Sequence, residues 1–226
     1  MKIPATKHLR PILLTSAMLI ALALCLPTHL LGGNRAAPAK SHAFGKTLNQ
    51  WQDTYLRWYN GLLSIPPDAN GNAVVNGVVL MPIPSTPGDG TAGQLDVTLL
   101  NGQAFFMPLL QLAGSSYTDG TPNDPLIDMS YFASYNVTLK IDGVTVINNA
   151  NLLDYFSQFY LDPPIPFPFA NLDSIIYLQG FGFAHSPLTP GTHTITLDET
   201  AGEPLPPIFG GATLEYHNTW NLTVLP

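Results

Sequence analysis

Only one residue in ten of this 226-residue chain is charged, nearly half are apolar, and acids outnumber bases fifteen to eight. So few Lys and Arg argue against a nucleic-acid partner, because phosphate backbones are held by those side chains, and against an anionic membrane surface for the same reason. The chain is too apolar to be disordered, and with a single cysteine it has no internal disulfide.

Lys2, Lys7 and Arg10 lead into an apolar run from Pro11 to Leu26. A basic head followed by a short apolar body reads as a secretory signal peptide over residues 1–33, with cleavage between 33 and 39. The run is shorter than a bilayer span of ~20 residues, so no membrane span is expected once the signal is removed. The lone cysteine, Cys25, lies inside this segment. The mature domain is therefore cysteine-free and must be stabilised by its core. If cleavage follows Ala39, four bases (Lys40, Lys46, Arg57 and Lys140) face all fifteen acids, giving a mature charge near −11. The expected location is secreted or extracytoplasmic, at the cell surface. Charge this sparse also suits an acidic habitat, where carboxylates are partly neutral.

Residues 40–66 form an N-terminal segment containing one helix, and residues 67–226 a β domain. Over 46–63, Leu48, Trp51, Tyr55, Trp58, Tyr59 and Leu62 recur at helical spacing and build an aromatic stripe. Pro66-Pro67 ends it. The stripe either packs on the domain or meets a partner, with Trp51 and Trp58 as the binding candidates.

Beyond it the period shortens. Strands are expected near 73–81, 93–100, 103–108, 135–141, 144–147, 174–183, 192–197 and 213–225, separated by Gly, Pro, Asn and Asp. Asn101-Gly102 and Asp142-Gly143 are the hairpin signals. Asn151–Tyr160 reads as a further short helix, 163–169 as an extended Pro/Phe segment, and 82–92, 114–128 and 201–211 as loops. The fold class is all-β: a single jelly-roll-like β-sandwich with one N-terminal amphipathic helix. The 213–225 run holds one charged residue, Glu215. At a sheet edge such a strand would invite a homo-oligomer or fibres.

Several segments in order resemble a group of uncharacterised exported bacterial proteins. They are the aromatic helix running into Ser64-Ile65-Pro66, the Gly-x-Ala-Phe-Phe-x-Pro strand at 102–108, the Asp142-Gly143-Val144 turn, Asn151-Leu152 with Tyr155, and the Pro-Gly-Thr-His-Thr-Ile segment at 190–195. The paired cysteines that often accompany this pattern are missing. The resemblance implies a β-sandwich outside the cytoplasm and no particular activity.

Candidate sites follow from chemistry. Asp119, Asp124 and Asp128 crowd one loop, and hard oxygen ligands on a bent loop suit calcium. Asp68-x-Asn70-x-Asn72 echoes the start of a calcium loop but lacks its later glycine and acid. His185 and His193 are the histidines to test first, since neutral imidazole serves as metal ligand or base. In its strand, His193 shares a face with Ile195 and Leu197. Phe167 and Phe169 lie in a segment that is hard to bury and suit a second subunit or a glycan. The sequence holds no Gly-x-Ser-x-Gly, His-Glu-x-x-His or phosphate loop. The leading expectation is a secreted or cell-surface non-catalytic binding or structural module, with a self-assembly or glycan partner and no cofactor beyond calcium. The alternative is an extracytoplasmic hydrolase or metal-dependent enzyme, which would gather acids around His185 or His193.

Overall fold

A computed structural model describes residues 36–37, 41–84, 92–205, 211 and 213–226. The expected signal segment lies outside the described residues.

Helix α1 spans Leu48–Tyr59. Its start is fixed by a capping box: the Thr47 hydroxyl accepts from the Gln50 amide at 3.2 Å, and the Gln50 side chain accepts from the Thr47 amide at 2.8 Å. At its end the Asn60 side chain donates back to the Leu56 carbonyl, and Gly61 turns the chain at φ +71°.

The segment read as one strand over 73–81 is a hairpin. β1 (Val74–Val75) and β2 (Val78–Leu80) pair antiparallel across Asn76-Gly77, both with positive φ. Asn-Gly supplies that turn at small cost, so the signal was present in the sequence. β3 (Ala92–Leu100) and β4 (Ala104–Tyr117) flank Asn101-Gly102. The Gln103 amide closes the turn on the Leu100 carbonyl at 3.0 Å, but the two strands belong to different sheets. The dipeptide is therefore a corner between sheets and not a hairpin. After the short helix α2 (Met129–Ala133), β5 (Asn136–Ile141) and β6 (Val144–Asn148) do form the Asp142-Gly143 hairpin.

The helix expected over 151–160 is reduced to one 3-10 turn, Leu152–Tyr155. From Phe156 to Pro166 the chain is strand β7, paired with β8 (Leu172–His185). Short apolar runs fit either period, and here sheet pairing decides. β9 (Gly191–Thr200) and β10 (Glu215–Leu225) complete the fold.

Two five-stranded sheets result, in the orders β1-β2-β4-β8-β7 and β3-β10-β9-β5-β6. The all-β sandwich is the architecture found. Two of its pairings, β2 with β4 and β3 with β10, are parallel. β10 sits between β3 and β9 with its backbone paired on both sides, so it is no edge, and the assembly argument built on it has no footing. The main core lies between the sheets, with Phe105, Met107, Phe181 and Phe183 of the first facing Leu139, Ile195, Trp220 and Leu222 of the second. α1 covers the outer face of the first sheet: Trp51 and Tyr55 pack with Val78, Leu80 and Phe106, and Leu56 packs with Ile165 and Leu178.

Candidate functional site

β2 is short. It accompanies β4 only over Ala104–Phe106; past that point no further strand pairs with β4 on that side among the described residues, and the chain returns to it only at Asp124, which bonds Ser115. The chain leaving β2 is pinned between layers: the Tyr55 hydroxyl donates to the Met81 carbonyl at 2.9 Å, and the Trp220 indole donates to the Pro82 carbonyl at 2.8 Å. A groove of about 510 Å³ runs along this uncovered stretch. Leu110 and Leu112 of β4 form one wall, and Leu197 of β9 with Trp220 of β10 form the other. At its rim Tyr59, Ile83 and Phe167 are 64%, 46% and 40% exposed.

No charged side chain is among the described residues that line the groove. Besides tyrosine hydroxyls and the Trp220 indole, its described polar side chains are three amides. Asn60 is bound to the Leu56 carbonyl, and Gln111 donates to Gln52 Oε1. Asn218 differs: it is only 5% exposed, and its Oδ1 is shielded from solvent with no hydrogen-bond partner. A wider hollow of about 620 Å³ beside Asp128 and Glu203 is more open to solvent.

The expected acids are not brought together. Asp119 accepts from the Thr121 amide and from Asn171, bonds that hold its carboxyl down near 2. Asp124 accepts from the Ser115 amide and the Tyr117 hydroxyl. Asp128 caps α2 by accepting from the Ser130 amide. These are turn and cap roles, which Asp fills for reasons unrelated to metals. Among the described residues no group of three or more His, Cys, Asp or Glu is placed to hold a metal ion, and these three acids each serve a separate turn or cap. Asp68 likewise closes its own turn, accepting from the Asn70 and Asn72 amides.

The histidines separate as well. His185 is fully buried, stacked on Phe105 at 4.9 Å between ring centres. Its Nδ1 meets the Ser186 carbonyl at 2.7 Å, and Nε2 has no partner. Burial holds this ring below its ordinary pKa, and the Ser186 contact only partly offsets that. A ring so enclosed packs in the core, which leaves His185 no open face on which to act as metal ligand or base. His193 sits at the rim of the core between Asp142 (2.7 Å) and the Thr189 carbonyl (2.9 Å). Burial alone would lower its pKa; the Asp142 and Thr189 hydrogen bonds outweigh it and raise the value. His217 is exposed, bracketed by Asp198 and Glu215, whose hydrogen bonds raise it.

Among the aromatic candidates, Trp51 is 1% exposed, stacks on Phe106 and donates to the Ala43 carbonyl. It is a core residue, and this corrects its place as a binding candidate. Trp58 is half-buried with its edge on Tyr55. Phe167 borders the groove, and Phe169 is 70% exposed. Sequence reasoning missed Tyr59, Leu112, Asn218 and Trp220 as groove residues. The strand pattern places Asn218 and Trp220 on one face, but nothing in the sequence shows that β2 stops short.

The strand expected over 192–197 runs on as β9 through Glu199 to Thr200, and the Glu199 side chain points inward after Ile195 and Leu197. It is 1% exposed, neither carboxyl oxygen has a partner, and burial pushes its pKa up to about 8.

No protein-family model matches the chain, and no curated protein is detectably similar to it. Among solved structures, PbICP-C in complex with falcipain-2 aligns over 65% of this chain and 98% of its own, at 13% identity and a TM-score of 0.28. The cysteine protease inhibitor EhICP2 from Entamoeba histolytica aligns over 65% and 95%, at 15% identity and a TM-score of 0.25. The solution structure of amebosin aligns over 61% and 99%, at 12% identity and a TM-score of 0.20. Likeness at this level says nothing of what this chain binds.

Proposed function

We propose that the mature protein is an exported, non-catalytic binding module that holds a small apolar ligand in the groove along β4. The groove itself carries the reading: its volume lies in the ~300–1,000 Å³ range of small-molecule sites, and its walls are Leu, Tyr and Trp with a few amides. Among the described residues that line it there is neither the carboxylate pair nor the base that a hydrolase would require, and His185 and His193 are engaged elsewhere. The groove's walls are mostly apolar side chains, so an apolar molecule fits better than a glycan. The basic-then-apolar leader supports export.

The neutral fluorescent probe N-phenyl-1-naphthylamine tests the reading. It is expected to bind the mature protein with stoichiometry one, and Leu112→Trp, which fills the groove from one wall, is expected to abolish binding without unfolding the protein. Binding unaffected by Leu112→Trp, or no binding at all, overturns the assignment. Export is tested separately by N-terminal sequencing of the native protein, with a first residue between 34 and 40 expected.

A further inference from the structure

Resting on that reading, we infer that the ligand is a neutral, ring-bearing molecule with one hydrogen-bond donor, received by the side-chain amide of Asn218. Three observations combine. The described lining holds no charge, and an ionised ligand would lose its hydration there without gaining a counter-ion. The lining is rich in rings: Tyr55, Tyr59, Phe167, Tyr216 and Trp220 all border the groove, and aromatic faces and edges favour another ring over an alkyl chain.

Asn218 supplies the polar end. Its Oδ1 is a buried acceptor with no partner, although buried polar groups are nearly always paired. The strand pattern shows why it faces this way: Tyr216, Asn218 and Trp220 alternate onto the inner face of β10, and Asn218 lies opposite Leu197 of β9. Leu or Val would satisfy packing at this position. An amide there leaves an acceptor unpaired in the empty protein. That oxygen is shielded in the empty protein, so the amide must rotate about its last side-chain bond to present it to the groove, where a ligand O–H or N–H pairs it. Asn60 and Gln111 each spend an N–H within the protein, on Leu56 and Gln52, and neither of their oxygens is a buried acceptor left unpaired, as that of Asn218 is.

The test compares 2-naphthol with 2-methoxynaphthalene, which keeps the rings and the oxygen but lacks the donor. Calorimetric titration of the mature protein is expected to show 2-naphthol binding roughly tenfold tighter, the scale of one hydrogen bond to an otherwise unpaired buried acceptor. Asn218→Leu, nearly the same size, is expected to erase that preference while still binding the ether. Equal affinity of the two probes for the wild type overturns this inference and leaves the groove reading intact. Retention of the preference in Asn218→Leu also overturns it. Failure of both probes to bind overturns the inference and the groove reading together. The wild-type comparison stands even where the variant does not fold.

Discussion

Replacing Glu199 by Gln is expected to make the protein more stable in neutral and alkaline solution and to flatten its pH dependence. The carboxyl lies on the inner face of β9, between Val137 of β5 and Tyr216 of β10. Tyr131, Tyr135 and Tyr216 have their own pKa values raised first by burial and further by its charge. No cation offsets it among its described hydrogen-bond or ion-pair partners, so burial raises its pKa from 4.5 to about 8. The sign follows from linkage. The folded state holds this proton more tightly than the unfolded state, so its stabilisation is complete below pH 4.5 and is lost as pH rises toward 8. At 1.36 kcal/mol per pKa unit the loss between those two pH values is about 4 kcal/mol, a large part of a typical domain's 5–15. Urea unfolding of mature wild type and Glu199→Gln at pH 4.5 and pH 8 measures it. Other groups titrate alike in both proteins, so the wild type should lose about 4 kcal/mol more than the variant. Parallel losses in the two proteins would refute the argument. The same reasoning favours an acidic medium, the habitat that the sparse charge suggests.

Four further outcomes are expected. In NMR titrations the ring of His185 should stay neutral below the ordinary histidine pKa, while His193 and His217 should titrate above it; one common midpoint would contradict the placements. Trp51→Ala should cost about 3–5 kcal/mol, since it empties the contact with Phe106 and frees the Ala43 carbonyl. Tyr59→Ala, on the exposed rim, should change stability by less than about 0.5 kcal/mol yet weaken 2-naphthol. Calcium chelation should leave the thermal midpoint unchanged, because Asp119, Asp124 and Asp128 each serve a separate turn or cap; a large drop would restore the calcium site.

Period and turn chemistry made the sandwich legible. The aromatic stripe of α1 and the alternation in β5, β9 and β10 each report one buried face, and Asp142-Gly143 reports its hairpin. Two kinds of information were not local. Asn101-Gly102 looks like a hairpin because turn residues do not reveal whether the next strand joins the same sheet. The residues over 156–166 have no period strong enough to outweigh pairing with β8. The site was less legible for the same reason. Its walls are ordinary core residues, and they become a groove only because β2 ends at Leu80 while β4 continues to Tyr117. The acids and histidines that drew notice in the sequence are mostly engaged in turns, caps and core packing. The burial of Glu199 was not legible, because β9 runs three residues past the expected end at 197 and carries it inside.

The most direct test of the groove is a two-dimensional NMR titration of the nitrogen-15-labelled mature protein with 2-naphthol. The side-chain signals of Trp220 and Asn218, which border the groove, are expected to shift together and saturate, while the indole signal of Trp51, held on Ala43, stays in place. Shifts centred on Trp51 or on the loop of Asp119 and Asp124, or no saturable shift at Trp220 and Asn218, would contradict the account.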